Sequence, residues 1–161
     1  MRAAGEQIRH VHLDLGGKAP VIVFDDADIN AVAETIRYGS FFNAGQDCAQ
    51  PCRVMAQDGV YDKLVAAIEA QVKEILVGTQ REEGTEMGPI VSTAQRERVA
   101  AFVNRASGAC EVVTGGAAGD REGFFYQPTV LANVANDAEV ATHEVLGQWL
   151  RCRAFPMRKT L

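Results

Sequence analysis

Short apolar runs alternate with longer stretches of helical periodicity along this chain, and that alternation constrains the fold more than any other feature. Strand-like runs lie at residues 21–24, 53–56, 111–114 and 125–131. Apolar residues recur at helical spacing after residue 28, in residues 59–76 and in residues 93–106. Strands that alternate with helices are typical of α/β layer folds. We therefore predict a largely parallel sheet within one domain of ordinary size for 161 residues.

Capping and turn residues mark the ends of several elements. Asp28 is placed to accept hydrogen bonds from free amides of a first helical turn, so we expect a helix that begins there and ends before Asn43. Pro128 has no amide hydrogen and therefore predicts an edge position or the start of a strand. Residues 137–145 are a short helical candidate.

Charge and hydropathy argue against two classes of partner. The net charge of -5 gives no basic footprint for nucleic acid. No apolar run approaches the roughly 20 residues that a membrane-spanning helix needs, so no membrane partner is expected. The first residues contain no apolar stretch of the kind found in a secretory signal, so the expected compartment is the cytoplasm.

The four cysteines lie at positions 48, 52, 110 and 152 and form no paired CxxC motifs, which argues against a metal site. A disulfide framework is also not expected in a chain of this length without an export signal. The cysteines are therefore either buried apolar groups or reactive thiols. We expect Cys52 to be structural, and Cys110 and Cys152 to have no functional role.

Cys48 ends a loop that reads Phe-Asn-Ala-Gly-Gln-Asp-Cys from residue 42. Asn43, Gly45 and Gln46 allow a sharp turn after the preceding helix, and such a turn can present one side chain in a pocket. A cysteine in that position is a nucleophile if its thiolate is favoured. Taken alone, the loop is a weak signal, because a single cysteine in such a loop is more often an inert thiol.

Two further segments accompany this loop: Leu-Asp-Leu-Gly-Gly-Lys at residues 13–18 and Glu-Val-Leu-Gly at residues 144–147. In this order and at these separations, the three segments resemble the aldehyde dehydrogenase superfamily. Its members carry Leu-Glu-Leu-Gly-Gly-Lys, Asn-x-Gly-Gln-x-Cys and Glu-x-Phe-Gly-Pro. The resemblance covers residues 2–147 and implies a three-layer α/β catalytic domain, truncated at both ends. The Gly-Gln-Asp-Cys run is most similar to the branch that acts on ω-amino aldehydes such as 4-aminobutanal.

The resemblance implies oxidation of a small-molecule aldehyde to its acid with NAD or NADP as cofactor. Cys48 would add to the carbonyl carbon, and its backbone amide, within the loop of Asn43, Gly45 and Gln46, would hold the oxyanion. Asp14 stands at the position of the family's general base.

On the cofactor side, Glu144 matches the residue that binds the nicotinamide ribose, and Leu15 and Gly16 lie near the cofactor in the family. Simpler interpretations stay open. Asp14 could be a solvent-facing carboxylate, Glu144 a solvated helix residue, and Gly16 a packing glycine.

Several departures from the family pattern predict weak activity. Asp14 is one methylene shorter than the expected glutamate, and a misplacement of about 1 Å can cost about a hundredfold in rate. Leu146 and Gln148 replace a phenylalanine and a proline. No G-x-G-x-x-G occurs in the chain. We expect little dehydrogenase turnover from this chain alone.

The alternatives are cofactor-independent esterase activity at Cys48 and a non-catalytic assembly role. Self-association into a homo-oligomer is also expected.

The last residues depart further, so we divide the chain into a catalytic-domain part, residues 1–147, and an aberrant tail, residues 148–161. Deleting one C from GGC-CCA-GTG-GTT, which encodes the family's Gly-Pro-Val-Val, gives Gly-Gln-Trp, as found at residues 147–149. The tail is therefore interpreted as a possible frameshift product. We expect it to be disordered, with at most accidental packing of Trp149.

Overall fold

The computed structural model describes residues 2–156, which form one five-stranded sheet with helices on its faces. The strands are β1 (Pro20–Val23), β2 (Arg53–Gln57), β3 (Glu111–Thr114), β4 (Thr129–Ala132) and β5 (Trp149–Phe155). The helices are α1 (Arg2–Gly5), α2 (Ile29–Phe41), α3 (Asp58–Lys73), α4 (Thr93–Ala106) and α5 (Glu139–Thr142).

The sheet is largely parallel, which confirms the predicted fold class. Its strand order is β1-β2-β5-β4-β3. The pairs β1–β2, β2–β5 and β4–β5 are parallel, and β3–β4 is antiparallel. Strand β4 begins at Thr129 rather than at residue 125, because Pro128 offers no amide hydrogen to a ladder.

The expectation of a disordered tail is wrong for residues 149–155, which form the middle strand of the sheet. Strand β5 pairs with β2 through Arg53↔Arg151 and with β4 through Thr129↔Trp149. Trp149 is 1% exposed and Leu150 is 0% exposed. Backbone pairing on both sides and large apolar side chains hold this segment.

One face of the sheet packs against α2 and α3 and forms the larger core cluster. Asp28 caps α2 as predicted, because its carboxylate accepts hydrogen bonds from the amides of Asn30 and Ala31. Apolar residues recur every three or four positions in α3, and Leu64 and Ile68 are fully buried. They meet Val54 of β2 and Leu150 of β5 in the same cluster.

A second cluster lies where α4 and α5 cover β4 and the start of β5. Phe102 and Val103 of α4 pack with Leu131 and Trp149. Ser92 caps α4 by accepting a hydrogen bond from the Gln95 amide. Helix α5 is shorter than predicted and spans one turn.

The part of this second face formed by β1 and the end of β5 is open to solvent. Ile22 and Phe24 are each 55% exposed. The ring of Phe24 meets that of Phe155 edge to face, with 5.9 Å between ring centroids. Among residues 2–156, no helix is both long enough and apolar enough to cross a membrane.

We predict that stability falls in alkaline solution because of Cys152 in the middle strand. Burial raises the pKa of the Cys152 thiol to about 12, whereas an unfolded cysteine titrates near about 8.5. As the pH rises, the Cys152 thiol therefore loses its proton first in the unfolded chain. Between about pH 8.5 and about pH 12 this lowers the free energy of unfolding by about 1.4 kcal/mol per pH unit, whereas below about pH 8.5 the contribution is fully present.

Urea unfolding at several alkaline pH values measures this loss, and Cys152→Ala provides the comparison. The variant is less stable at every pH. Between about pH 9 and pH 11, however, its free energy of unfolding should fall less steeply with pH, because it lacks this thiol. An equal slope in both proteins would contradict the assignment to Cys152.

Candidate active site

The three segments that carry the family resemblance meet at one end of the sheet. The backbone amide of Gly17 donates a hydrogen bond of 2.8 Å to Oε1 of Glu144, which lies 127 positions later in the chain. A methyl group at Gly17 would lie 2.6 Å from the carbonyl oxygen of Cys48, so the first segment also touches the cysteine loop. The fold thus assembles the predicted site residues from distant parts of the chain.

The cysteine loop is a left-handed turn, which explains the residue types found there. Asn43, Ala44 and Gly45 have φ values of 49°, 56° and 68°. Asparagine and glycine tolerate this region well, whereas alanine pays a steric penalty in it. The side chain of Asn43 donates to the carbonyl of Gln46, and the Gln46 side chain donates back to the carbonyl of Asn43.

Gln46 also anchors the loop from outside, because its Oε1 accepts a hydrogen bond of 3.0 Å from the amide of Val91. The loop residues are therefore held by specific contacts rather than by chain connectivity alone. Strained turns of this kind persist only where surrounding contacts hold them.

The buried side chain of Gln50 links three backbone segments, and sequence reasoning missed this role. Its side-chain amide donates to three backbone carbonyls, those of Ser40, Gly147 and Trp149, at 2.8, 3.1 and 3.1 Å. These bonds join the end of α2, the cysteine loop and the start of β5. No local signal marks Gln50, since a glutamine after a loop normally faces water.

The segment that carries Glu144 is held by side chains of α4, and these contacts were also missed. Gln95 donates to the carbonyls of Val145 and Leu146 at 2.8 and 2.7 Å. Arg98 donates to the carbonyls of Glu144 and Val145. Gln95 and Arg98 are three positions apart, so both lie on one face of α4. This spacing was the signal in the sequence that could have predicted a shared contact.

Cys48 is exposed and lies between two carboxylates. The negative charge of Asp14 is the main cause that raises the pKa of the Cys48 thiol, and Asp47 raises it further through a hydrogen bond and its charge. Asp14, predicted as the base, is thus brought against the sulfur. At neutral pH the thiol form is favoured.

We predict that Asp14→Asn increases the rate at which Cys48 reacts with iodoacetamide near about pH 8. Loss of the neighbouring negative charge lowers the pKa of Cys48, so more thiolate is present at a given pH. The pH dependence of alkylation should move to lower pH, as measured by mass spectrometry of the peptide that contains Cys48. An unchanged profile would contradict the contact between the two groups.

The cofactor-side residues of the prediction lie along the rim of this site. A methyl group at Gly16 would collide with the Glu144 carboxylate, so this glycine is needed for the close approach of the two segments. Leu15 is 69% exposed. The resemblance implies that Leu15 and Glu144 border the nicotinamide end of a dinucleotide, and this stays a prediction. The sequence has no glycine-rich phosphate loop for its other end.

Lys18 is structural, as its contacts show. Its ammonium group donates to the carbonyls of Val140 and His143 and lies 4.7 Å from the centre of the Trp149 ring. Burial lowers the pKa of Lys18. Of the three remaining thiols, Cys52 and Cys152 are buried and Cys110 is half-buried. No group of three metal-ligating side chains occurs among residues 2–156.

Comparison with known proteins agrees with this geometry. The model of the aldehyde dehydrogenase family matches residues 1–155. A betaine aldehyde dehydrogenase of Rhizobium leguminosarum is 39% identical over 149 residues, which are 90% of this chain and 31% of the relative. An aldehyde dehydrogenase of Emericella nidulans is 40% identical over 154 residues, covering 95% of this chain and 31% of the relative.

Solved structures give the same result. The NAD+ complex of an aldehyde dehydrogenase from Bacillus cereus superposes with a TM-score of 0.90 at 32% identity, over 97% of this chain and 32% of that one. A betaine aldehyde dehydrogenase from Staphylococcus aureus in complex with NAD+ gives a TM-score of 0.89 at 32% identity, over 97% and 32% of the two chains. The chain spans about 31% of the length of the curated relatives it matches. By its sequence and by the arrangement of its three motif segments, this chain belongs to the aldehyde dehydrogenase family.

Proposed function

We propose that this chain carries the nucleophilic half of an NAD(P)-dependent aldehyde dehydrogenase, with Cys48 as the nucleophile. The observation that supports this most is the meeting of an exposed Cys48 thiol with the Asp14 carboxylate, beside Glu144 bound to the Gly17 amide. The substrate is an aldehyde and the product is the corresponding carboxylic acid.

In the proposed first step, Cys48 adds to the aldehyde carbon while Asp14 receives the thiol proton. Asp14 is close enough to act on the Cys48 thiol, because its charge is the main cause of the raised pKa of that sulfur. The carbonyl oxygen gains negative charge, and the backbone amide of Cys48, presented by the turn at Asn43, Gly45 and Gln46, stabilises it. The product of this step is a thiohemiacetal on Cys48.

A nicotinamide cofactor, when bound, supplies the acceptor for the hydride that leaves the thiohemiacetal carbon. Glu144 would orient its ribose hydroxyls, and Leu15 and Gly16 would border it. NAD is the cofactor named for the similar structures, and the choice between NAD and NADP remains part of the proposal. Asp14 first releases the thiol proton to solvent and then acts again as a base, activating water to release the acid from the thioester on Cys48.

The first test is NADH formation by the purified chain with NAD+ and 4-aminobutanal, with Cys48→Ala as the control. We expect almost no turnover, because the chain carries only the nicotinamide end of a cofactor site, while iodoacetamide still labels Cys48. Turnover that disappears in Cys48→Ala would contradict the expected inactivity. A folded chain whose Cys48 resists labelling would contradict its role as the nucleophile.

We propose an ω-amino aldehyde as the finer substrate class. Asp14 and Asp47 place two negative charges at an exposed thiol, and a cationic substrate would be favoured there over a neutral one. The Gly-Gln-Asp-Cys run supports the same branch. Competition between 4-aminobutanal and the neutral butanal for protection of Cys48 against iodoacetamide tests this choice, and equal protection would contradict it.

A second candidate function is hydrolysis of activated esters at Cys48, which requires no cofactor. Exposure of the thiol and its contact with Asp14 favour it. Release of nitrophenol from 4-nitrophenyl acetate should be lost in Cys48→Ala. Equal turnover in the two proteins would rule out this function.

Self-association, or docking on a longer relative, is the third candidate, and the exposed Ile22 and Phe24 favour it. Apolar side chains on an open sheet face are stabilised by contact with another protein surface. Size-exclusion chromatography with light scattering tests for a homo-oligomer. A monomer at all concentrations would count against self-association.

We also propose that residues 148–161 derive from a shifted reading frame and differ in origin from residues 1–147. The support is the codon relation between Gly-Pro-Val-Val and Gly-Gln-Trp, together with side chains in and just before β5 that leave buried polar atoms unpaired, those of Gln148, Trp149 and Arg151. Sequencing of the gene tests this proposal. If no single-base insertion restores a family-like frame, the proposal is wrong.

A further inference from the structure

Four positive side chains lie near one another on the sheet face that α2 and α3 leave uncovered. Arg53 of β2 is the direct neighbour of Arg151 on β5, and Arg153 is the next residue of β5 on the same face. Lys18 completes the group, since its ammonium group stands over the ring of Trp149, two positions before Arg151. We call Arg53, Arg151 and Arg153 the arginine cluster.

Residues 2–156 provide no salt-bridge partner to the arginine cluster. None of the ion pairs there includes one of its members. Arg151 is 3% exposed, and its Nε and Nη1 atoms have no hydrogen-bond partner. Nε of Arg53 is also buried without a partner. Burial lowers the pKa of Arg151, and the charge of Arg53 lowers it further.

An unpaired guanidinium is strongly unfavourable in such a place, and it cannot escape the cost by losing its proton. The arrangement is stabilised when an anion accepts the free N–H groups. Several guanidinium groups that converge from adjacent strands match the oxygens of phosphate, which accept paired hydrogen bonds from arginine. We propose that the arginine cluster binds a phosphate group, either as the free ion or as a monoester.

The route to this site runs over the open side of the sheet. Arg53 and Arg153 are half-buried rather than enclosed. Ile22 lies in the same row as Met55 and Arg153 and is 55% exposed. An anion can therefore approach from the β1 side, and the organic part of a monoester would lie on Ile22.

The single tryptophan of the chain provides the measurement, because Trp149 lies on the same face as the arginine cluster. The full chain is titrated with inorganic phosphate and, separately, with phenyl phosphate, while sodium chloride keeps the ionic strength constant. Emission of Trp149 reports binding. Arg151→Leu removes the central guanidinium, and Arg81→Leu, at an exposed position, is the matched control for loss of one positive charge.

We expect a saturable change in emission with the unmodified chain and with Arg81→Leu, and binding at least about tenfold weaker with Arg151→Leu. Tighter binding of phenyl phosphate would identify a monoester as the preferred form, and equal or weaker binding would identify the free ion. An equal response in Arg151→Leu overturns the proposal. So does the absence of any response in the unmodified chain.

If Arg151→Leu does not fold, Arg153→Gln replaces it, because this half-buried side chain can be changed with less disturbance. The same weakening is expected, and unchanged binding overturns the proposal. The readout needs no nicotinamide cofactor, so failure here is independent of the proposed aldehyde chemistry.

Discussion

A chain that ends at Gly147 is expected to lose cooperative folding. The truncation removes β5, which pairs with both β2 and β4, and leaves the two halves of the sheet with no strand between them. Loss of buried Trp149 alone costs about 3–5 kcal/mol, and loss of Leu150 costs about 2–5 kcal/mol. Together these match much of the total stability of an ordinary domain, about 5–15 kcal/mol.

Near-ultraviolet circular dichroism and urea unfolding measure this effect. A chain that ends at Pro156 is the control, since it keeps all of β5, and it should still unfold cooperatively. A sharp unfolding transition in the chain that ends at Gly147 would show that β5 does not hold the sheet together.

The second large effect is expected from Gly45→Ala in the cysteine loop. Gly45 has a φ of 68°, and a methyl group there would overlap the carbonyl oxygen of Gly147 and lie 2.6 Å from Nε2 of Gln50. The left-handed conformation costs an alanine about 1–2 kcal/mol, and forced repacking adds about 1–3 kcal/mol. We expect a total loss of stability of about 2–5 kcal/mol.

Gly59→Ala is the matched control, because it adds the same methyl group within α3, where no atom lies within 4 Å. This change should stabilise the protein by about 0.5–1 kcal/mol, since alanine favours a helix. Gly45→Ala should also alter the alkylation rate of Cys48, while Gly59→Ala should not. Equal effects of both substitutions on stability would contradict the close approach of Gly45 and Gly147.

Local sequence signals were sufficient to predict those helices whose apolar spacing and capping residues depend only on neighbouring residues. The spacing of apolar residues in α3, the Asp28 cap of α2 and the limits of α4 at residues 93 and 106 all depend on neighbours within the same segment. The family resemblance supplied the grouping of Cys48 with Asp14. That grouping depends on chain topology rather than on local propensity, and no periodicity could have provided it.

The role of β5 could not be predicted, because its stability comes from partners far away in the chain. Arg151 and Gln148 are polar, so a reading based on local hydropathy places them in water, whereas the fold buries both, and Arg151 lies in the strand that pairs with β2 and β4. Gln50 was missed for a related reason. Its side-chain amide donates to the carbonyl oxygens of Ser40, Gly147 and Trp149. Gly147 and Trp149 lie almost a hundred positions away in the sequence.

The position of β5 also bears on the order in which the chain can fold as it is made. Strands β1 and β2 leave the ribosome long before β5, and the carbonyl of Trp149 meets Gln50 across 99 positions of sequence. Until then, β2 and β4 each expose an unpaired edge to other nascent chains. Closing so long a loop is slow, so chaperones that shield strand edges should raise the yield of folded chain.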